Sequence, residues 1–133
     1  MVKSLFPQEM LNTSELNLES IAGKLLTFAE QFHLVHWQTG SYAEHIATGE
    51  LYECLYTFRD EVIEKLMGYT GRKPTGFKMG NINTSSETAI SELMSFASSL
   101  KQYAESNGFI DIAAMADTLS GKAAKYKYLL GLA

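Results

Sequence analysis

A single cysteine, Cys54, in 133 residues leaves no partner for an intrachain disulfide, so the chain must be held by its core. That usage fits a reducing compartment such as a cytoplasm. There are two prolines, Pro7 and Pro74, and both lie outside the periodic segments, so the long stretch between them is free of helix breakers. No apolar run approaches the roughly 18 residues of a membrane span. The opening residues MVKSLFPQEM hold one lysine and lack the longer apolar run of a secretory signal. Eleven basic residues stand against fifteen acidic ones, a net charge of −4, and no basic block occurs, which disfavours DNA binding through broad attraction to phosphates. The sequence also contains no internal repeat, no glycine-rich phosphate loop, no nucleophile elbow and no Cys-x-x-Cys pair.

What is present is helical periodicity. A chain of this length predicts one domain with a core that needs no staples. Leu18, Ile21, Leu25, Phe28, Phe32 and Val35 recur at steps of three and four, which predicts a first helix from about Leu16 to Trp37, with His36 continuing its stripe. Gly40 and Ser41 mark a short turn. A second helix is expected from about Ser41 to Tyr69, roughly 40 Å long. Gly49 inside it costs roughly 1 kcal/mol against alanine and signals a bend or a close approach by another segment. The glycine-rich segment 71–85 reads as a crossover loop from one end of a bundle to the other. Thr84 and Glu87 read as a capping box opening a third helix, whose stripe is Ile90, Leu93, Phe96 or Ala97, Leu100 and Ala104. Asn107-Gly108 ends it, and a fourth helix follows from about Ile110 to Leu130. Residues 1–15 read as an N-terminal extension. Short, long, short connections predict an all-α antiparallel four-helix bundle of the ferritin-like kind.

The second helix also carries the candidate chemistry. Asp60 and Glu64 stand four residues apart, on one face, with Cβ atoms roughly 6 Å apart. Glu53 lies on the same stripe seven residues earlier. Three carboxylates in line suit a hard or borderline cation; they equally suit a solvated acidic face partly neutralised by Arg59 or Lys65. His45 precedes Asp60 by fifteen residues, roughly 22 Å along the helix, so one chain cannot place both on one ion. Two copies crossing antiparallel near Glu53 can, and such a two-fold contact makes two equivalent sites. His36 is a further candidate ligand, although a histidine ending an apolar stripe is more often a helix-end group. Glu30 and His33 match the Glu-x-x-His spacing of di-iron bundles, but no second copy exists, so the match is read as chance and His33 as surface-facing. Trp37, Tyr42, Tyr52 and Tyr56 read first as packing, and beside an iron site as residues able to intercept oxidising equivalents.

The run from Phe32 to Arg72, FHLVHWQTGSYAEHIATGELYECLYTFRDEVIEKLMGYTGR, resembles the Dps branch of the ferritin-like superfamily, the miniferritins. His36-Trp37 matches the pair ending that family's first helix, His45 the histidine opening its second, and Asp60-Glu-Val-Ile-Glu64 its Asp-x-x-x-Glu pair before Gly68 or Gly71. The resemblance spans about residues 17–130 and is specific in the half from His36 to Gly71. It implies a ferroxidase centre at a dimer interface, with His36 and His45 from one subunit and Asp60 and Glu64 from its partner. It also implies a twelve-subunit shell that oxidises Fe(II) and stores ferric mineral. Three departures stand out. The turn after Trp37 is about three residues shorter than in the family. Gly49 occupies the place of an acidic ligand, for which Glu53 or Glu50 would substitute. The crossover is too short for the family's extra helix.

The sequence therefore predicts an iron-binding, Fe(II)-oxidising homo-oligomer, at least a two-fold dimer, in the cytoplasm of a bacterium or a phage-infected cell, and the pattern also looks like small bacteriophage-encoded Dps-like proteins. The metal-site residues expected are His36, His45, Asp60, Glu64 and Glu53. The alternatives are a non-enzymatic ferritin-like interaction module and a bundle binding zinc through His45, Asp60 and Glu64.

Overall fold

A computed structural model describes residues 4–6, 16–82 and 85–132. The described residues form four helices: α1 (Leu18–Gln38), α2 (Tyr42–Thr70), α3 (Ser86–Ser106) and α4 (Ile110–Leu130). No strand occurs among the described residues, and none of their helices is long and apolar enough to cross a membrane.

Local signals account for the helix limits. Asn17 caps α1 by accepting from the Ser20 amide at 2.8 Å, and the Ser20 hydroxyl accepts from the Asn17 amide at 2.9 Å, a reciprocal capping box. Ser41 caps α2 through the Glu44 amide, and Gly71 ends that helix at φ 72°, a left-handed conformation cheap only for glycine. The third helix is capped by Ser85, which accepts from the Thr88 amide; Thr84, the cap expected from sequence, lies outside the described residues. Gly108, at φ 74°, turns the chain from α3 into α4.

The expected stripes form the core. Leu18, Ile21, Leu25, Phe28 and Phe32 of α1 are buried against Leu51, Leu55, Val62 and Leu66 of α2, and Leu93, Leu100, Ile112 and Leu119 complete the interior. Val35 is only half-buried, because the stripe reaches the end of the bundle there. Leu5 and Phe6, within the expected extension, are core residues too: the Phe6 ring meets Phe28 edge-on at 5.2 Å, and the Leu5 amide donates to Glu92.

The hairpins α1–α2 and α3–α4 are joined by an extended crossover running alongside α1. Near the start of α1, Arg72 makes a two-pronged ion pair with Glu19, whose carboxylate also accepts from the Thr75 amide. Farther along, the Lys78 carbonyl passes directly over Gly23, where a Cβ would collide with it, and the Gly80 amide donates to Thr27 Oγ1 at 2.9 Å. The crossover therefore carries the chain from the end where α2 stops back to the end where it began, and α3 runs parallel to α2. No helix interrupts its described part.

Candidate metal site

The tight turn Thr39–Ser41 places the end of α1 beside the start of α2. Thr39 Oγ1 donates to Glu44 and accepts from the Ser41 amide, which fixes the reversal within three residues. This short connection brings His36 and His45 face to face. Their rings stack with centroids 3.7 Å apart and planes 16° from parallel. His36 Nδ1 lies 2.6 Å from the His45 carbonyl oxygen, and His45 Nδ1 lies 2.8 Å from the His36 carbonyl oxygen. A carbonyl oxygen can only accept, so each Nδ1 must carry a proton, and the neutral tautomer that satisfies this contact is the one whose Nε2 keeps its lone pair. A ring nitrogen held to a backbone carbonyl while the other keeps its lone pair is the arrangement that prepares histidine for a metal.

Gly49 explains how the His36 ring fits. A Cβ built at Gly49 would lie 2.9 Å from His36 Cε1 and 3.1 Å from Nδ1. The glycine is the floor on which the histidine rests. The close approach signalled by Gly49 is therefore made by α1 of the same chain, and no acid can occupy this position with His36 where it stands.

The acidic residues divide between two faces of α2. Asp60 and Glu64 are exposed, and neither forms a salt bridge among the described residues. The cations expected to neutralise them point elsewhere. Arg59 Nε donates to the Ala22 carbonyl at 2.9 Å and its guanidinium covers Phe77, while Lys65 pairs with Asp111. Burial lowers the Arg59 pKa, an effect opposed by the nearby charge of Asp60. Glu50 turns toward α4, where its carboxylate accepts from the Tyr126 hydroxyl at 3.0 Å. Burial and that hydrogen bond raise the Tyr126 phenol to about 12. Glu53 is exposed at the edge of the same α2–α4 groove, which also holds Cys54 and Lys122.

Among the described residues no group of three or more histidine, cysteine, aspartate or glutamate side chains is close enough to hold a metal. The chain brings together His36 and His45, and separately Asp60 and Glu64, and leaves these pairs beside opposite halves of α2. His33, expected at the surface, is half-buried: its ring lies between Trp37 (4.1 Å) and Tyr52 (3.9 Å). Helical spacing sets Trp37 beside His33, four residues on, but carries no signal of the Tyr52 contact, which depends on how α1 and α2 register across the turn.

The molecule is thus an all-α four-helix bundle with a reciprocally held histidine pair at one end and, in the other half of α2, an Asp-x-x-x-Glu carboxylate pair that forms no salt bridge among the described residues. The model of a family of unknown function, DUF5856, matches residues 36–130, and the chain belongs to that family. The match begins at His36 and takes in α2, α3 and α4 with the whole candidate site. No curated protein and no solved structure matches the chain.

Proposed function

We propose that this protein is a Dps-like member of the ferritin-like superfamily that binds Fe(II) as substrate and oxidises it at a site shared by two copies. The observation that carries this reading is the mutual hold of His36 and His45, which spends both Nδ1 protons on backbone carbonyls and leaves two Nε2 lone pairs. Imidazole nitrogen with carboxylate oxygen is a donor set suited to iron, and also to zinc. The unpaired Asp60 and Glu64 supply the carboxylates, and a two-fold crossing of α2 near Glu53 brings them to the histidines of the partner. The parallel run of α2 and α3, joined by a long crossover, is the connectivity expected of a ferritin-like bundle. In this reading Fe(II) gives up an electron to peroxide or dioxygen while the carboxylates favour the more highly charged Fe(III). Assembly extends from the dimer to a shell if a second contact closes.

A second reading has its own support. Gly49 is filled by His36 and Glu50 is held by Tyr126, so the site has fewer acids than the resemblance implies. That favours a bundle that keeps the dimer contact for a protein partner without oxidising iron.

Aerobic addition of Fe(II) to metal-free protein separates the two. Oxidation faster than in buffer, with iron retained by the protein and both effects lost in the Asp60→Ala/Glu64→Ala variant, is the expected result. No acceleration and no retained iron overturns the first reading. Retention of zinc but not iron assigns the site to zinc. Solution mass decides between dimer and shell.

A further inference from the structure

Four rings at the histidine end of the bundle form an unbroken series. Trp37, the chain's one tryptophan, is 67% exposed at the close of α1. Its ring lies against His33 at 4.1 Å; His33 stacks on Tyr52 at 3.9 Å, only 12° from parallel; and Tyr52 meets Tyr56 edge-on at 6.1 Å. The series ends on a charged acceptor, because the half-buried Tyr56 hydroxyl donates to the Glu30 carboxylate. Tyr42, also nearby in sequence, is 79% exposed and makes no ring contact among the described residues.

We propose that Trp37, His33, Tyr52 and Tyr56 form a radical-transfer path carrying an oxidising equivalent from the surface at Trp37 to a proton-coupled terminus at Tyr56 and Glu30. The two ends differ chemically. An indole can lose an electron and hold the charge as a cation radical. A phenol at neutral pH is oxidised readily only if its proton leaves with the electron, and among these rings Tyr56 is the one whose hydroxyl already faces a carboxylate. A diffusing one-electron oxidant radical takes an electron from Trp37 and is reduced to its anion, leaving the Trp37 cation radical. An electron then passes from Tyr56 through Tyr52 and the His33 ring to Trp37, while the phenolic proton moves to Glu30. The products are neutral Trp37, the neutral Tyr56 phenoxyl radical and protonated Glu30, so charge and protons balance. His33 bridges the rings as a spacer and is not oxidised. The path involves no iron and goes beyond the proposed iron chemistry.

Pulse radiolysis tests it on metal-free protein, with azidyl radical, which is reduced to azide, as the oxidant. The expected result is an indolyl radical that converts to a tyrosyl radical at a first-order rate independent of protein concentration and slower in heavy water. The rate falls roughly tenfold, a barrier increase of about 1.4 kcal/mol, in Tyr52→Phe and in Glu30→Gln. The second variant keeps Tyr56 but leaves its proton no anionic acceptor. Tyr103→Phe, at the other end of the bundle, leaves the rate unchanged. An unaltered rate in Tyr52→Phe/Tyr56→Phe, or conversion proportional to protein concentration, overturns the proposal and leaves the rings as packing. Should a variant fail to fold, the wild-type protein decides alone: no slowing in heavy water, or concentration-dependent decay, overturns it.

Discussion

The His36 ring rests on the bare Cα of Gly49, so close that a single added methyl would stand 2.9 Å from its Cε1. Two opposed effects follow from replacing this glycine. Alanine gains about 1 kcal/mol of helix propensity. Displacing the ring loses a side-chain hydrogen bond with a net worth of about 1 kcal/mol. Gly49→Ala is therefore expected to leave overall stability within about 1 kcal/mol of wild type. Nitrogen-15 NMR should still report His36 losing its fixed Nδ1–H tautomer. A His36 signal unchanged from wild type would show that the ring does not depend on the glycine.

Gly23 is the corresponding floor for the crossover, which passes over it at Lys78. Gly23→Ala should lift this segment and break the Gly80–Thr27 hydrogen bond, destabilising the fold by about 1–2 kcal/mol despite better helix propensity. Gly121 of α4 is the control: it is exposed and nothing lies near its absent Cβ. Gly121→Ala should stabilise by up to about 1 kcal/mol. Urea midpoints moving in opposite directions check the pair.

Acid should loosen the same crossover. The Arg72 guanidinium, helped by the Thr75 amide, holds the Glu19 carboxyl at about 2, below its ordinary 4.5. A depressed carboxyl contributes stability that is fully present above the unfolded value and is lost as pH falls through the folded one. The expected loss therefore lies between about pH 4.5 and 2. Because this pair is exposed, added salt should shrink it. Arg72→Gln should remove this part of the acid profile; an unchanged profile would show the pair to be without energetic weight.

At the alkaline end Tyr126 is the informative group. Its phenol, raised to about 12 by burial and by its bond to Glu50, contributes stability present below the ordinary value near 10 and lost as pH climbs toward 12. Burial also raises the Tyr103 phenol, so the assignment rests on the variant: ultraviolet titration should show a tyrosine ionising toward pH 12, and Tyr126→Phe should remove that step. Glu50→Gln should move it downward, because the negative neighbour is gone.

Much of the bundle was legible in the sequence because helical periodicity is local. The α4 limits, the α3 stripe and the crossover all follow from residues within a few positions of one another. The cap on α3 falls on Ser85, one residue after Thr84, although Thr84 is the residue that stands three positions before Glu87. The site was legible in part. Periodicity paired Asp60 with Glu64 and separated both from His45. It could not reveal that Tyr126, seventy-six residues later, would bind Glu50. Nor could it aim Arg59 inward at the Ala22 carbonyl, or place Leu5 and Phe6 in the core. Each of these is a contact between distant segments, decided by how the helices sit against one another.

The reciprocal histidine hold ties two properties together. Each ring fastens the other's backbone across the α1–α2 turn, so whatever binds a bare Nε2 of the folded chain also binds the turn in its closed form. By mass action such a ligand must raise the free energy of opening that end of the hairpin, and anything that frays the end must weaken the ligand by the same amount. Occupancy and local folding are here two readings of one equilibrium.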